Sequence, residues 1–518
     1  MNENNYQVQP QPIFNITLAT HNFTITRINN RVKDLIFGFG KQNVQYGMVR
    51  LPHGKYVKAA VKVFGAATMD RSEFRFHINQ YKDFIEYMAM HNYKEDLMSI
   101  SVKELLPGKD IDIKMKVEWV PKDYQVPVIQ YIEDFNNVVS KFVELQTGQG
   151  KSMCGTYALV NNGKRVVVIV KAGYIDKWVS DFLKMTDVKK KEIVTIQGST
   201  QLKQLIQLGV EDKVAFPFIV IGNRTFQNYL KEYEEFKHEI LAMGYGCLPE
   251  DFFETVGAGA RLIDEVHQDF HLNYKIDMYT NVPKSVSLSA TLLNNDPFLE
   301  RMYKIAYPLT DRYSGQPLKR YAHAKAVIYS MQTKRYFNTT ERDSPTYSHN
   351  AFERSILKSH DFTKSYFSLI LNTIKASYIL NYKKGQRMIV FFASLDMVDS
   401  FVKCLKSNYS QFDIRKFIGG DDLKDLLEAD ITISTLQNAG TAHDIPNLTT
   451  VILTPSVQSI QANIQVLGRL REITDTRVEF IYLACRDIPK QMDYHLQKTT
   501  LLEQRAATLR ICNASELV

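Results

Sequence analysis

The first stretch of this chain able to do chemistry is Thr147-Gly148-Gln149-Gly150-Lys151-Ser152. Its glycines let the backbone curl until several amide N–H groups face one phosphate. Lys151 would then contact the terminal phosphates, and Ser152 would hold a magnesium ion. Residues 142–145 read as a strand leading in. Residues 153–160 read as a helix leading out, and its N-terminus adds positive potential. Leu145 stands where the G-x-x-x-x-G-K-[ST] pattern has its first glycine.

Asp264 and Glu265 follow the short strand 261–263. Open α/β sheets bind ligands at that end of a strand. Asp264 would coordinate magnesium through water, and Glu265 would polarise the water that attacks a γ-phosphate. His267 would link the site to a neighbouring domain. Ser289-Ala290-Thr291 ends the strand 286–288, where small hydroxyl side chains can couple a nucleotide site to a nucleic-acid groove.

Gln465 to Arg471 reads as one helix. From it Arg469, with Arg471, could reach across a cleft to the γ-phosphate. Such a finger is worth several orders of magnitude in rate and ties hydrolysis to domain closure. Upstream, Gly440-Thr441-Ala442-His443-Asp444 offers Asp444 to a ribose hydroxyl or to the joining of the domains. Each fragment has an ordinary alternative: a Gly-rich turn before a surface lysine, a solvated acidic pair, a strand end, a surface helix. Their order along the chain favours a nucleoside-triphosphate motor.

In that order the residues resemble superfamily 2 helicases over about residues 120–490. Tyr124-Gln125 is similar to the family's adenine-reading glutamine. Lys151, Asp264-Glu265, Ser289-Ala290-Thr291, Gly440-Thr441 with Asp444, and Gln465-Gly468-Arg469 match its successive motifs. Thr225-Phe226-Gln227 is similar to the T-x-Q segment that touches the nucleic-acid backbone, and Thr435 to the threonine that opens the fifth motif. The resemblance implies ATP and Mg2+ as cofactors, with Thr225 and Thr435 on the nucleic acid. The layout resembles bacteriophage recombination and repair helicases of the UvsW type, which remodel forks, junctions and R-loops.

Departures are visible too. Glu472 stands where the family's second arginine falls, which leaves the finger open between Arg469 and Arg471. Val170-Lys171-Ala172-Gly173-Tyr174 replaces a usual Pro-Thr segment. Trp178 nearby could stack on a base, although packing is the favoured role.

The elements that must position these residues follow from periodicity. Residues 165–170, 216–221 and 261–263 are apolar runs between helical segments, which implies a parallel sheet covered on both faces. The pattern pauses over 311–360 and resumes at 388–392, 431–434 and 451–453. Two tandem RecA-like α/β domains are expected, 116–310 and 311–518, the second ending in a helix. A small α+β accessory domain, 1–115, precedes them, with short strands at 23–28 and Tyr56–Val63 and a helix at Tyr81–Met90. Its Arg27, Arg31, Lys33 and Lys41 could recognise a DNA branch. Removing residues 1–115 is expected to lower branched-DNA preference and leave ATP hydrolysis largely intact.

Composition bounds the rest. The 518 residues are 45% hydrophobic and 23% charged, ordinary for globular domains. A net charge of +8 suits a polyanion binder without proving one. The five cysteines form no C-x-x-C pair, so neither a zinc site nor a disulfide framework is expected. No signal peptide or membrane-length apolar run is visible, and a cytoplasmic location is expected. The expected partner is single-stranded or branched DNA, bound without sequence preference, with RNA as an alternative. A double-stranded DNA translocase and a non-catalytic nucleic-acid clamp are the competing readings.

Overall fold

The computed structural model describes residues 12–51, 54–136, 139–146, 148–290, 296–314, 319–331, 337–341, 344–436 and 444–517. Thr147, Thr291 and Gly440, three of the expected site residues, lie outside the described residues. The chain divides into two compact units. The first comprises Met1–Leu145, Gln149–Leu292 and Asp296–Gln316, and the second is mainly Pro317–Val518.

The core of the first unit is a seven-stranded sheet. Its order is Ile193–Ile196, Phe218–Gly222, Val166–Val170, Ala260–Ile263, Lys284–Ser289, Ser140–Glu144 and Arg312–Ser314, and every pairing is parallel. Val166–Val170 is VVVIV and wholly buried, the composition of a strand covered on both faces. Helix Ile175–Met185 shows how the cover is built. Ile175, Trp178, Phe182 and Met185 recur at three- and four-residue spacing and are buried, while Asp176 and Lys184 face out.

The N-terminal residues form a lobe within this unit. Ala66–Ala67, Phe74–His77, Asn22–Thr26, Phe14–Leu18 and Met98–Val102 make a mixed five-stranded sheet. Helices Asn30–Lys41 and Tyr81–Met90 accompany it. Phe14, Phe23, Phe39, Phe76 and Phe84 fill its own core with edge-on and tilted ring pairs.

The lobe is fused to the larger sheet domain by buried contacts. Phe64 lies in the large core, with ring centroids 5.4 Å from Phe270 and 5.2 Å from Tyr274. Buried Arg75 pairs with Glu73 at 2.6 Å and also with Glu250. Asn22 donates to the carbonyls of Asp277 (3.1 Å) and Thr280 (3.2 Å), and Tyr274 donates to Gln80 (3.2 Å). These contacts predict a different outcome for removal of residues 1–115, because it would open a buried aromatic and ionic surface on the rest of the unit.

The second unit has its own seven-stranded parallel sheet. The order is Ile414–Phe417, Ile431–Thr435, Arg387–Phe392, Leu448–Leu453, Val478–Cys485, Ala322–Tyr329 and Thr508–Asn513. Helices His360–Ser377, Leu395–Asn408 and Pro489–Arg505 belong to it. Among the described residues no helix is long and apolar enough to cross a membrane.

Candidate active site

Three neighbouring strands of the first sheet end in the residues singled out by the sequence. Ser140–Glu144 runs into the glycine loop, Lys284–Ser289 ends on Ser289, and Ala260–Ile263 runs into Asp264 and Glu265. Being parallel and adjacent, they deliver these residues to one edge. Leu145 N donates to Ser289 O at 3.1 Å, which stitches the loop to the middle strand.

The loop turns on Gly148 (φ +89°) and Gly150 (φ +82°), values that a side chain disfavours. A Cβ on Gly150 would also run into the Gln125 amide. Helix Lys151–Asn161 starts immediately after, so its unpaired N–H groups face the loop. Gln125 is buried: its Nε2 donates to Gln149 O (3.0 Å), and its Oε1 accepts from Lys122 N (3.0 Å). Tyr124 beside it is half-buried.

Lys151 is buried, and its Nζ donates to Glu265 Oε1 at 3.1 Å. Glu265 has φ +49°, the left-handed region, in the turn that closes when Gln268 N donates to its carbonyl at 2.8 Å. Burial works to raise the Glu265 carboxyl, but the Lys151 ammonium carries it below the usual glutamate value. Its Oε2 is buried and makes no hydrogen bond among the described residues.

His267 Nδ1 lies 2.7 Å from Ser289 Oγ and 3.3 Å from Glu265 Oε2. Burial pushes this imidazole down to about 4, so it is neutral at neutral pH. The structure thus brings His267 to Ser289 and to the acidic pair.

Asp264 stands beside Glu265. Its Oδ2 accepts from Trp178 Nε1 at 3.0 Å, and its Oδ1 accepts from the Glu265 N–H at 2.9 Å. Burial first, and the Glu265 charge after it, hold its carboxyl above the ordinary aspartate value despite Lys177. Trp178 is fully buried, so base stacking is excluded, and its indole instead orients Asp264.

Sequence reading missed Lys177. Its Nζ donates to Ser152 Oγ at 2.9 Å and lies 3.8 Å from Asp264 Oδ2 and 3.6 Å from Asp181. Burial disfavours the ammonium, yet Asp264, then Asp181 and Glu265, hold its pKa above the usual lysine value. The expected magnesium ligands Ser152 and Asp264 therefore converge on one positive charge. The only signal in the sequence was a lysine beside the tryptophan of an amphipathic helix.

Among the described residues no group of three or more His, Cys, Asp or Glu could hold a metal by itself. Ser152 and Asp264 offer two oxygen donors, a set that suits magnesium when phosphates and water complete the shell. The cation between them shows that the pair accepts positive charge.

The other expected positions are dispersed. Thr225 is half-buried in the first turn of helix Asn223–Phe236, and its Oγ1 accepts from Gly198 N at 2.9 Å. In the second unit Thr435 is buried at the end of strand Ile431–Thr435. The expected helix over 465–471 starts and ends earlier. Ile460–Leu467 is helical, Gly468 caps it, and fully buried Leu470 draws the chain into the core. Gln465 is therefore on the helix, whereas Arg469 and Arg471 lie beyond it. Arg469 is buried. Arg471 pairs with Asp444 and donates to the carbonyls of Gly468 and Leu470. Glu472 pairs with Lys319 at 2.5 Å.

No protein-family model matches the chain, and no curated protein does.

Proposed function

We propose that the protein is an ATP-dependent DNA helicase or translocase of the superfamily 2 kind, built on two RecA-like domains, that unwinds or branch-migrates forked, junction or R-loop DNA. The observation that carries the reading is the meeting of Lys151, Ser152, Asp264 and Glu265 at the carboxyl edge of one parallel sheet. The left-handed glycines of the loop, the helix N-terminus behind them and the cation held between Ser152 and Asp264 support it.

In this reading Gln125 reads the adenine and Lys151 leaves Glu265 for the terminal phosphates. Glu265 stays ionised and takes a proton from the attacking water through Oε2, while the water oxygen bonds to the γ-phosphorus and the bond to the diphosphate breaks. Ser289 and neutral His267 hold Glu265 in place. Ser152 and Asp264 would hold magnesium, which when bound neutralises phosphate charge. Arg469 and Arg471 are assigned to transition-state charge, with Gln465 and Asp444 beside them in the motif order. Thr225 and Thr435 are assigned to the DNA backbone.

The test is steady-state ATP hydrolysis with magnesium, alone and with single-stranded DNA, forked DNA or RNA. DNA should stimulate turnover, and Lys151→Ala and Glu265→Gln should each lower it by about two to four orders of magnitude. Stimulation by RNA alone would replace DNA as the substrate. Hydrolysis without strand displacement would make the protein a double-stranded DNA translocase. No hydrolysis with any polymer would reject the motor and favour a non-catalytic clamp.

A further inference from the structure

Between Asp34 and Asp70 the sequence contains no Asp or Glu, yet Lys41, Arg50, Lys55, Lys58 and Lys62 all fall there. Most of this stretch folds into a hairpin of Val44–Arg50 and Tyr56–Val63. The hairpin is a two-stranded sheet that pairs with no third strand among the described residues. Lone ribbons are marginal in water, because half of their pairing groups and both faces stay open.

The register gives the ribbon two unlike faces. Met48 opposes Lys58, Arg50 opposes Tyr56 and Tyr46 opposes Ala60, and opposed residues project to the same side. Tyr46 and Tyr56 are 46% and 42% exposed, and Met48 is 64% exposed. The Lys58 ammonium sits 5.6 Å above the Tyr46 ring. The other side carries Gly47, Val49, Val57 and Ala59. One face thus mixes cations with exposed aromatics in a stretch free of carboxylates.

We propose that this face of the 44–63 hairpin is a nucleic-acid contact. Arg50 and Lys58 on this face, with Lys55 in the connection between the two strands, take backbone phosphates, and Tyr46 and Tyr56 lie against bases or sugars. The partner follows from charge: five cations in a row of residues without one carboxylate complement a polyanion, and flat exposed rings beside them suit bases. The proposal deepens the reading of the protein as a DNA motor and rests on it. It assigns DNA contact to a ribbon of the N-terminal lobe and away from the strand ends that hold Lys151 and Glu265.

The experiment compares the protein with its Arg50→Gln/Lys55→Gln/Lys58→Gln variant by fluorescence anisotropy on forked DNA over a salt series, beside ATP hydrolysis without DNA. Hydrolysis without DNA should be unchanged. Affinity should fall about tenfold or more, and the salt slope should shrink by roughly two to three, near one per lost phosphate contact. Acetylation of Lys55 and Lys58 in the unaltered protein gives a second readout that needs no variant; forked DNA should protect both. Equal affinity and slope, or acetylation indifferent to DNA, would overturn the hairpin while leaving the motor intact. Protection by an acidic protein and not by DNA would also overturn it. An unaltered protein that neither binds DNA nor hydrolyses ATP would remove the motor and the hairpin together.

Discussion

Lys177 concentrates the logic of the site in one side chain. Its ammonium bridges Ser152 and the Asp264 side, and it keeps two adjacent buried carboxyl groups from facing each other uncompensated. A divalent ion at Ser152 and Asp264 must displace it. Lys177→Met should therefore lower the magnesium concentration for half-maximal hydrolysis by about fivefold, roughly 1 kcal/mol. Binding of Mn2+ to the nucleotide-free protein, followed by electron paramagnetic resonance, should tighten in step. An unchanged metal requirement would assign Lys177 to another task. His267 makes a prediction of pH. An unfolded histidine gains its proton near 6.5, the folded one only near 4. Its share of stability is complete above pH 6.5 and is lost as pH falls from there through about 4. At about 1.4 kcal/mol per pH unit, the loss by pH 5 is roughly 2 kcal/mol. Urea midpoints at pH 7 and pH 5 should diverge more for the unaltered protein than for His267→Gln. Equal midpoint shifts in the two proteins would mean that the imidazole is not held neutral.

Elements were legible where burial is uniform or amphipathicity regular. VVVIV leaves no choice but a doubly covered strand, and Tyr81–Met90 shows its helical spacing in the letters. Ala322–Tyr329 gives little strand signal although it is interior to its sheet. Its first half, AHAKA, pairs alanines with His323 and Lys325, and alanine contributes little apolar signal. The end of the helix before Arg469 is hidden in the letters because apolar residues continue through Leu470, and only the cap at Gly468 shows that Leu470 reaches the core from a turn. The candidate site was legible in its phosphate loop and acidic pair, whose residue types are dictated by chemistry. Lys177 and Trp178 were not, since their role depends on which face of Ile175–Met185 meets Asp264, a matter of tertiary packing.

For the whole molecule, the first unit behaves as one body of lobe and sheet. Phe64 shares a core with Phe142, Ile263 and Phe270, and Arg75 is buried against Glu250. A chain starting at residue 116 would expose that surface and leave Glu250 without its cation. Loss of a buried aromatic alone costs about 3–5 kcal/mol, and an unpaired ion comparable amounts. Such a chain should melt well below the full one and lose ATP hydrolysis with its fold, as differential scanning calorimetry beside a turnover assay would read. Retention of both the melting temperature and turnover would mean that the lobe is a passive appendage.

The place of Ala322–Tyr329 has a consequence for how the protein is made. It is the first long strand of the second unit to leave the ribosome, and its two neighbours in the sheet are Val478–Cys485 and Thr508–Asn513. During synthesis it therefore waits, unpaired on both edges, until nearly all of the unit has been translated. Closure of so distant a pairing is slow, and the apolar half of the strand is open to wrong partners meanwhile. The second unit thus stands to gain from a chaperone while it is being made.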